Sequence, residues 1–170
     1  MAVSENILKG KIAENLVEDL LKRSGNRVYR LGSDAQLENI VQLEQDFCKD
    51  SDIGKKISSI PDFAIIGALG KPQLLEVKFR TDPESLEEEL LMDKEPLEKF
   101  WVAKIVLVTP KEKPYFRILI PPYFVKEKRD GWPIPVFKWI ALEDDRDILI
   151  EADVLREFND LVKKYYSKKG

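Results

Sequence analysis

Ile60-Pro61-Asp62-Phe63-Ala64-Ile65-Ile66, then GALGKP from Gly67 to Pro72, then Gln73-Leu74-Leu75-Glu76-Val77-Lys78-Phe79, form the stretch on which the fold turns. Two short apolar runs around a connection bearing Gly and Pro are a hairpin signal, with a loop longer than the tight two-residue type. Polar residues interrupt both runs: Asp62 in the first, Glu76 and Lys78 in the second. A strand period of two puts Glu76 and Lys78 on one face and Leu75, Val77 and Phe79 on the other. A register with Asp62 opposite Glu76 would project both carboxylates and the ammonium from one face, close together. A slip by one residue would separate them.

Working outward, residues 5–24 predict a helix, with Ile12, Ala13, Leu16, Val17, Leu20 and Leu21 on one face and Gly25-Asn26 as a stop. Arg27 to Leu31 predicts a short strand. Residues 32–59 are polar and of mixed charge, and Leu37, Ile40, Val41 and Leu43 do not alternate, so an inserted helix is expected near Leu37 to Phe47. After the hairpin, Asp82-Pro83-Glu84 offers an N-cap and a first-turn proline, opening a helix expected to break near Pro96 and restart to Val102. Lys104 to Thr109 predicts a buried strand. Beyond Pro110, strands are expected at Phe116 to Ile120 and Val136 to Ile140, joined by a Pro-rich, basic link, and an amphipathic helix at Ala152 to Tyr166 closes the chain.

The 170 residues, 44% apolar and 35% charged, fit a single globular domain with a real core. The chain contains no histidine, which excludes Ser-His-Asp and Cys-His hydrolases and histidine metal sites. Cys48 is the single cysteine, too few for a zinc site or an internal disulfide, and is read as a bystander. The lack of a disulfide agrees with a reducing cytoplasm. No apolar run approaches the roughly 20 residues that cross a bilayer, and the N-terminus reaches charge too soon for a signal-peptide core. We therefore expect a cytoplasmic protein with no membrane partner.

Two crowded carboxylates repel, and a divalent cation between them would relieve that repulsion. Oxygen ligands suit Mg²⁺ or Mn²⁺, which typically take one or two protein carboxylates and leave positions for water and phosphate. Lys78 beside the attacking water could orient it or offset charge on a phosphoryl transition state. A third carboxylate lies on the first helix. At ~100° per residue, Glu14 falls roughly 20° outside the apolar arc and Glu18 about 60°, so Glu14 is the better placed to face the sheet.

Pro61-Asp62, thirteen intervening residues, and Glu76-Val77-Lys78, preceded by a helix carrying Glu14, resemble the PD-(D/E)xK nuclease superfamily. Gly10-Lys11-Ile12-Ala13-Glu14 with IPDFAII and LLEVKF is most similar to its archaeal-type Holliday junction resolvases and restriction-endonuclease-like members. The resemblance implies an α/β fold with a restriction-endonuclease-like core: helix, strand, strand, strand, helix, strand, in a mixed central sheet flanked by helices. It covers residues 7–109, with the insertion at about 32–59, and leaves 110–170 as a β-rich and helical C-terminal extension. By resemblance, Asp62 and Glu76 bind Mg²⁺ or Mn²⁺, Lys78 serves the attacking water, and Glu14 assists metal or water binding. The implied partner is nucleic acid, DNA before RNA, and a homodimer is open. Asn15 stands where such resolvases commonly carry arginine.

Plainer readings stand beside these. Asp62, Glu76 and Lys78 could form a cross-strand ion pair on a solvated face, and Glu14 could be an ordinary surface residue. Arg80 could contact phosphate or serve structure. Lys126, Lys128 and Arg129, like Lys163, Lys164, Lys168 and Lys169, could track a nucleic-acid backbone or simply be solvated. Tyr123, Trp132 and Trp139 lie among the first basic run, with Trp139 expected in the core. Residues 80–101 carry eight acids against three bases, a local net of −5, while 111–130 carry six bases against three acids. An acidic rim beside the motif repels a polyanion. Three functions follow: a metal-dependent nuclease, a catalytically silent module of the same fold used for nucleic-acid or protein binding, and a structural protein without metal.

Overall fold

The spacing of Ala13, Leu16, Val17, Leu20 and Leu21 winds into α1 (Ala2–Arg23), which buries all five. It ends where Gly25 adopts φ 95°, with Gly25 N–H donating to Lys22 O and Asn26 N–H to Leu21 O, the paired bonds that close a helix on a left-handed residue. The computed structural model describes residues 2–31, 51–93 and 96–166. The expected helix near Leu37 to Phe47, Cys48, Lys168 and Lys169 lie outside them.

After α1 come β1 (Arg27–Arg30), the short α2 (Asp52–Ser58), β2 (Phe63–Ile66), β3 (Pro72–Phe79) and α3 (Pro83–Asp93). A π-helical turn (Pro96–Trp101) leads into β4 (Lys104–Val108), followed by β5 (Phe116–Leu119), β6 (Phe124–Arg129), β7 (Trp132–Phe137), β8 (Ile140–Ala141) and α4 (Ala152–Tyr166). Six strands form one sheet in the order β1-β2-β3-β4-β5-β8. Its neighbours are antiparallel except β3 and β4, which run parallel and are joined over one face by α3 and the π-helical turn. The protein is thus mixed α/β, with a mixed sheet flanked by helices.

Two apolar layers sandwich the sheet. On one face, α1 and α4 pack on Phe63, Ile65, Leu75, Val77, Val106, Val108 and Ile118. On the other, Leu86 and Leu90 of α3 meet Ile105, Leu107, Leu119 and Tyr123. Every residue of β4 is buried, as a central strand covered on both faces must be. Asp82 caps α3, its Oδ1 accepting from Ser85 N–H at 3.1 Å.

The expected elements shift in four places. The first apolar run forms a strand only from Phe63, so Asp62 stands just before β2. The helix after Asp82 does not resume as an α-helix beyond Pro96 but winds as the π-helical turn, and Val102 takes φ 50°. The Pro-rich link is itself a hairpin, β6 and β7, which form a separate two-stranded sheet. Val136 to Ile140 is consequently not one strand: Val136 and Phe137 end β7, and Ile140 and Ala141 form β8 against β5. The final helix has its expected bounds.

Residues 145–149 are bound to the sheet from three sides. Asn26 Nδ2 donates to Leu149 O at 2.7 Å, and Asn26 Oδ1 accepts from Leu149 N–H at 2.9 Å. Ala68 N–H donates to Asp147 O at 2.9 Å. Lys104 Nζ donates to Asp145 and Asp147. Gly67 sits so close to this segment that a Cβ there would lie 2.1 Å from Asp147 O, backbone that cannot swing aside. Gly67→Ala is therefore expected to cost about 1–3 kcal/mol, read as a lower urea midpoint with an unchanged slope.

Candidate active site

Continuing the β2–β3 register one step beyond Phe63 and Leu75 puts Asp62 opposite Glu76. The Asp62 backbone is held by Leu31 N–H donating to its carbonyl at 2.9 Å. Its side chain turns onto β3, Oδ2 accepting from Val77 N–H at 2.7 Å. Glu76 and Lys78 project from the opposite face of β3 to Leu75 and Val77, and Lys78 Nζ meets Glu76 Oε1 at 2.7 Å. Side by side on the parallel strand are Ile105 and Leu107, so the pair shares the α3 face of the sheet.

Burial pushes the Asp62 carboxyl up to about 7; Glu76 and, to a lesser degree, Glu14 push the same way, against the Val77 hydrogen bond and Lys78. Burial also raises Glu14, opposed by Arg30 and reinforced by Glu76. For Lys78 burial pulls downward, but Glu76, Asp62 and Glu89 outweigh it and hold the ammonium above its ordinary value. These mutual influences show Glu14, Asp62, Glu76 and Lys78 sharing one electrostatic neighbourhood. Of the two helix carboxylates Glu18 is the more covered, its side chain 14% exposed against 30% for Glu14. Glu18 is engaged elsewhere, by Lys22 at 2.6 Å and by Arg30 Nε at 2.6 Å. Glu14, not Glu18, is the helix acid that Asp62 feels.

Sequence reasoning misses Arg30 and its partners. The guanidinium donates to Asn15 Oδ1 at 2.6 Å, lies 3.7 Å from Glu14 Oε2 and sits over the Phe63 ring. A cation thus does stand beside Asn15 and Glu14, delivered by β1 rather than by the helix. The one signal in the sequence is an arginine closing the RVYR strand. Arg80 is occupied structurally: it donates to Phe79 O at 2.7 Å and pairs with Glu89 of α3. Lys126, Lys128 and Arg129 stand exposed on β6, in the separate two-stranded sheet. Tyr123 is buried, its hydroxyl donating to Ala103 O at 2.5 Å, and Trp139 packs on the second apolar layer and donates to Glu87 at 2.8 Å.

No protein-family model, curated protein or solved structure matches this chain. Its function therefore rests on the chemistry of the cluster itself.

The donor set suits a hard cation. Asp62 and Glu76 influence each other where Glu14 adds further negative charge, and among the described residues the Lys78 ammonium offsets them. Among the described residues, no three Asp, Glu, Cys or His side chains are grouped closely enough to cage an ion alone. A cation here would rest on Asp62 and Glu76 and complete its shell with water and substrate oxygens, the usual habit of Mg²⁺.

Proposed function

We propose that this protein is a metal-dependent nuclease with a restriction-endonuclease-like core, acting on phosphodiester bonds of DNA in the cytoplasm. The supporting observation is that Glu14 of α1, Asp62 just before β2, and Glu76 and Lys78 of β3 all act electrostatically on one another, with the buried Asp62 carboxyl bound by Val77 N–H and raised to about 7. The element order α1, β1, β2, β3, α3, β4 supports the core assignment. Among the described residues no helix is long and apolar enough to cross a membrane.

Asp62 and Glu76 would hold Mg²⁺ or Mn²⁺, which when bound supplies charge neutralisation at the phosphate and acidifies the attacking water. Asp62 is aimed by Val77 N–H, and Glu76 by its ion pair with Lys78. Lys78, fully protonated at neutral pH, serves as a hydrogen-bond donor and counter-charge rather than a base. Glu14, with its carboxyl raised by burial, can accept a proton from water at the edge of the site. Arg30, 3.7 Å from Glu14 Oε2, offsets its charge.

A silent nuclease-fold module is the second reading. The observation favouring it is the Lys78 to Glu76 contact at 2.7 Å, which neutralises one of the two ligands. The two readings separate in a cleavage assay on linear, single-stranded and branched DNA with Mg²⁺, Mn²⁺ or EDTA. Cleavage that needs the metal and falls about 10²–10³-fold in Asp62→Asn and in Lys78→Met is expected. Cleavage indifferent to both substitutions, or none on any substrate, would overturn the nuclease reading.

A further inference from the structure

The β6–β7 hairpin stands apart from the main sheet. Among the described residues its root is anchored: Phe124 and Phe137, with ring centroids 5.2 Å apart, pack against the layer formed by Leu86, Leu90 and Tyr123. That layer covers the face of the sheet from which Glu76 and Lys78 project. Beyond the root, Lys126, Glu127, Lys128 and Arg129 are all exposed. Asp130 (φ 51°) and Gly131 (φ 84°) turn the chain with both central residues left-handed, the tight two-residue turn that keeps a hairpin twisted and straight.

Three features of the outer half need a partner to account for them. Lys126, Lys128 and Arg129 make no ion pair with any described residue, whereas Arg23, Arg30, Lys78, Arg80, Lys104 and Arg117 all do. Trp132 is 75% exposed at the tip, directly across the ladder from Arg129. Pro133 and Pro135 deny β7 two N–H donors, so its outer edge is ill suited to recruit another strand. A flat aromatic, cations on both hairpin faces that make no ion pair among the described residues, and a β7 edge closed to peptides suit a polyanion that also presents flat apolar rings.

We propose that the β6–β7 hairpin is a nucleic-acid-binding arm, in which Lys126, Lys128 and Arg129 contact phosphates and Trp132 stacks on an unpaired base. The arm rests on the nuclease reading for its purpose, since it would hold a single-stranded stretch on the same sheet face as the carboxylates. Bases inside a duplex are already stacked, so Trp132 gives the arm a preference for unpaired strands. Each phosphate contact on a single strand contributes about 0.7 to the slope of log affinity against log salt.

The test is fluorescence anisotropy with labelled oligo-dT and with a labelled duplex, in EDTA so that no cleavage intervenes. Lys126→Ala/Lys128→Ala/Arg129→Ala is expected to weaken oligo-dT binding at least tenfold and reduce the salt slope by about two. Trp132→Ala should weaken oligo-dT binding about tenfold with an unchanged slope and leave duplex binding unaltered, and Trp132→Phe should retain most of it. Binding that survives both arm variants, or no binding at all, would overturn the arm. So would a triple-variant effect without a Trp132 effect, which is the outcome for a surface that merely attracts polyanions such as acidic membranes. Arm-dependent binding without metal-dependent cleavage would instead retain the arm and reject the nuclease.

Discussion

Asp62→Asn is expected to raise the melting temperature of the metal-free protein at pH 8, by about 5–10 °C, and by less than half as much at pH 5. Asp62 carries a folded-state pKa of about 7 against an ordinary 3.8. A carboxyl raised on folding contributes stability that is full below its unfolded value and is lost as pH rises through the folded value. The loss therefore falls between about pH 4 and pH 8, and at 1.36 kcal/mol per pKa unit it is at most about 4 kcal/mol. Asn keeps an oxygen to accept from Val77 N–H while removing the charge. Each kcal/mol is worth about 2–4 °C in a chain of this size. Millimolar Mg²⁺ or Mn²⁺ should cancel the gain, because a cation compensates the parent and not the variant. A solvated cross-strand ion pair predicts the reverse sign, a small loss at pH 8, so scanning calorimetry at two pH values with and without metal decides between them.

Lys104→Met should be the most destabilising of these substitutions. The Lys104 ammonium sits 2.9 Å from Asp145 Oδ2 and 3.0 Å from Asp147 Oδ2, with the Asp145 side chain only 1% exposed. Removing one partner of a buried pair leaves an uncompensated charge, at about 3–5 kcal/mol. The hydrogen bond from Lys104 also holds the Asp147 carboxyl below its usual range, and methionine has no donor to replace it. A fall of about 10 °C in melting temperature is expected. Lys104→Met/Asp145→Asn should recover part of it, which a purely steric defect at residue 104 would not allow.

The hairpin at the centre of the sequence is legible because its polar residues break an apolar pattern on alternate positions, and one slip of register would turn Glu76 and Lys78 into the core. The observed register sets Phe63 opposite Leu75, and one further step along it would bring Asp62 opposite Glu76. The closing helix is legible for a similar reason: Val154, Leu155, Phe158 and Val162 are all buried, with charges between them. The β6–β7 hairpin is not. Pro133 and Pro135 read as breakers, although an outer strand tolerates missing donors, and the basic run around Asp130-Gly131 masks its turn signal. Arg30 and Lys104 escape for another reason. Their partners lie 12 to 43 residues away along the chain, and no local spacing announces a contact between β1 and α1 or between β4 and the 145–147 segment.

The layer beneath α1 depends on the far end of the chain. Tyr166 of α4 stacks on Phe79 with centroids 4.3 Å apart and donates its hydroxyl to Lys9 O, joining the last helix to the first and to β3. A nascent chain halted before Ala152 would cover this face with α1 alone and leave Phe79 without the Tyr166 ring that stacks on it. During synthesis this layer therefore waits for α4, and the exposed apolar surface of that interval is where chaperones would be expected to act.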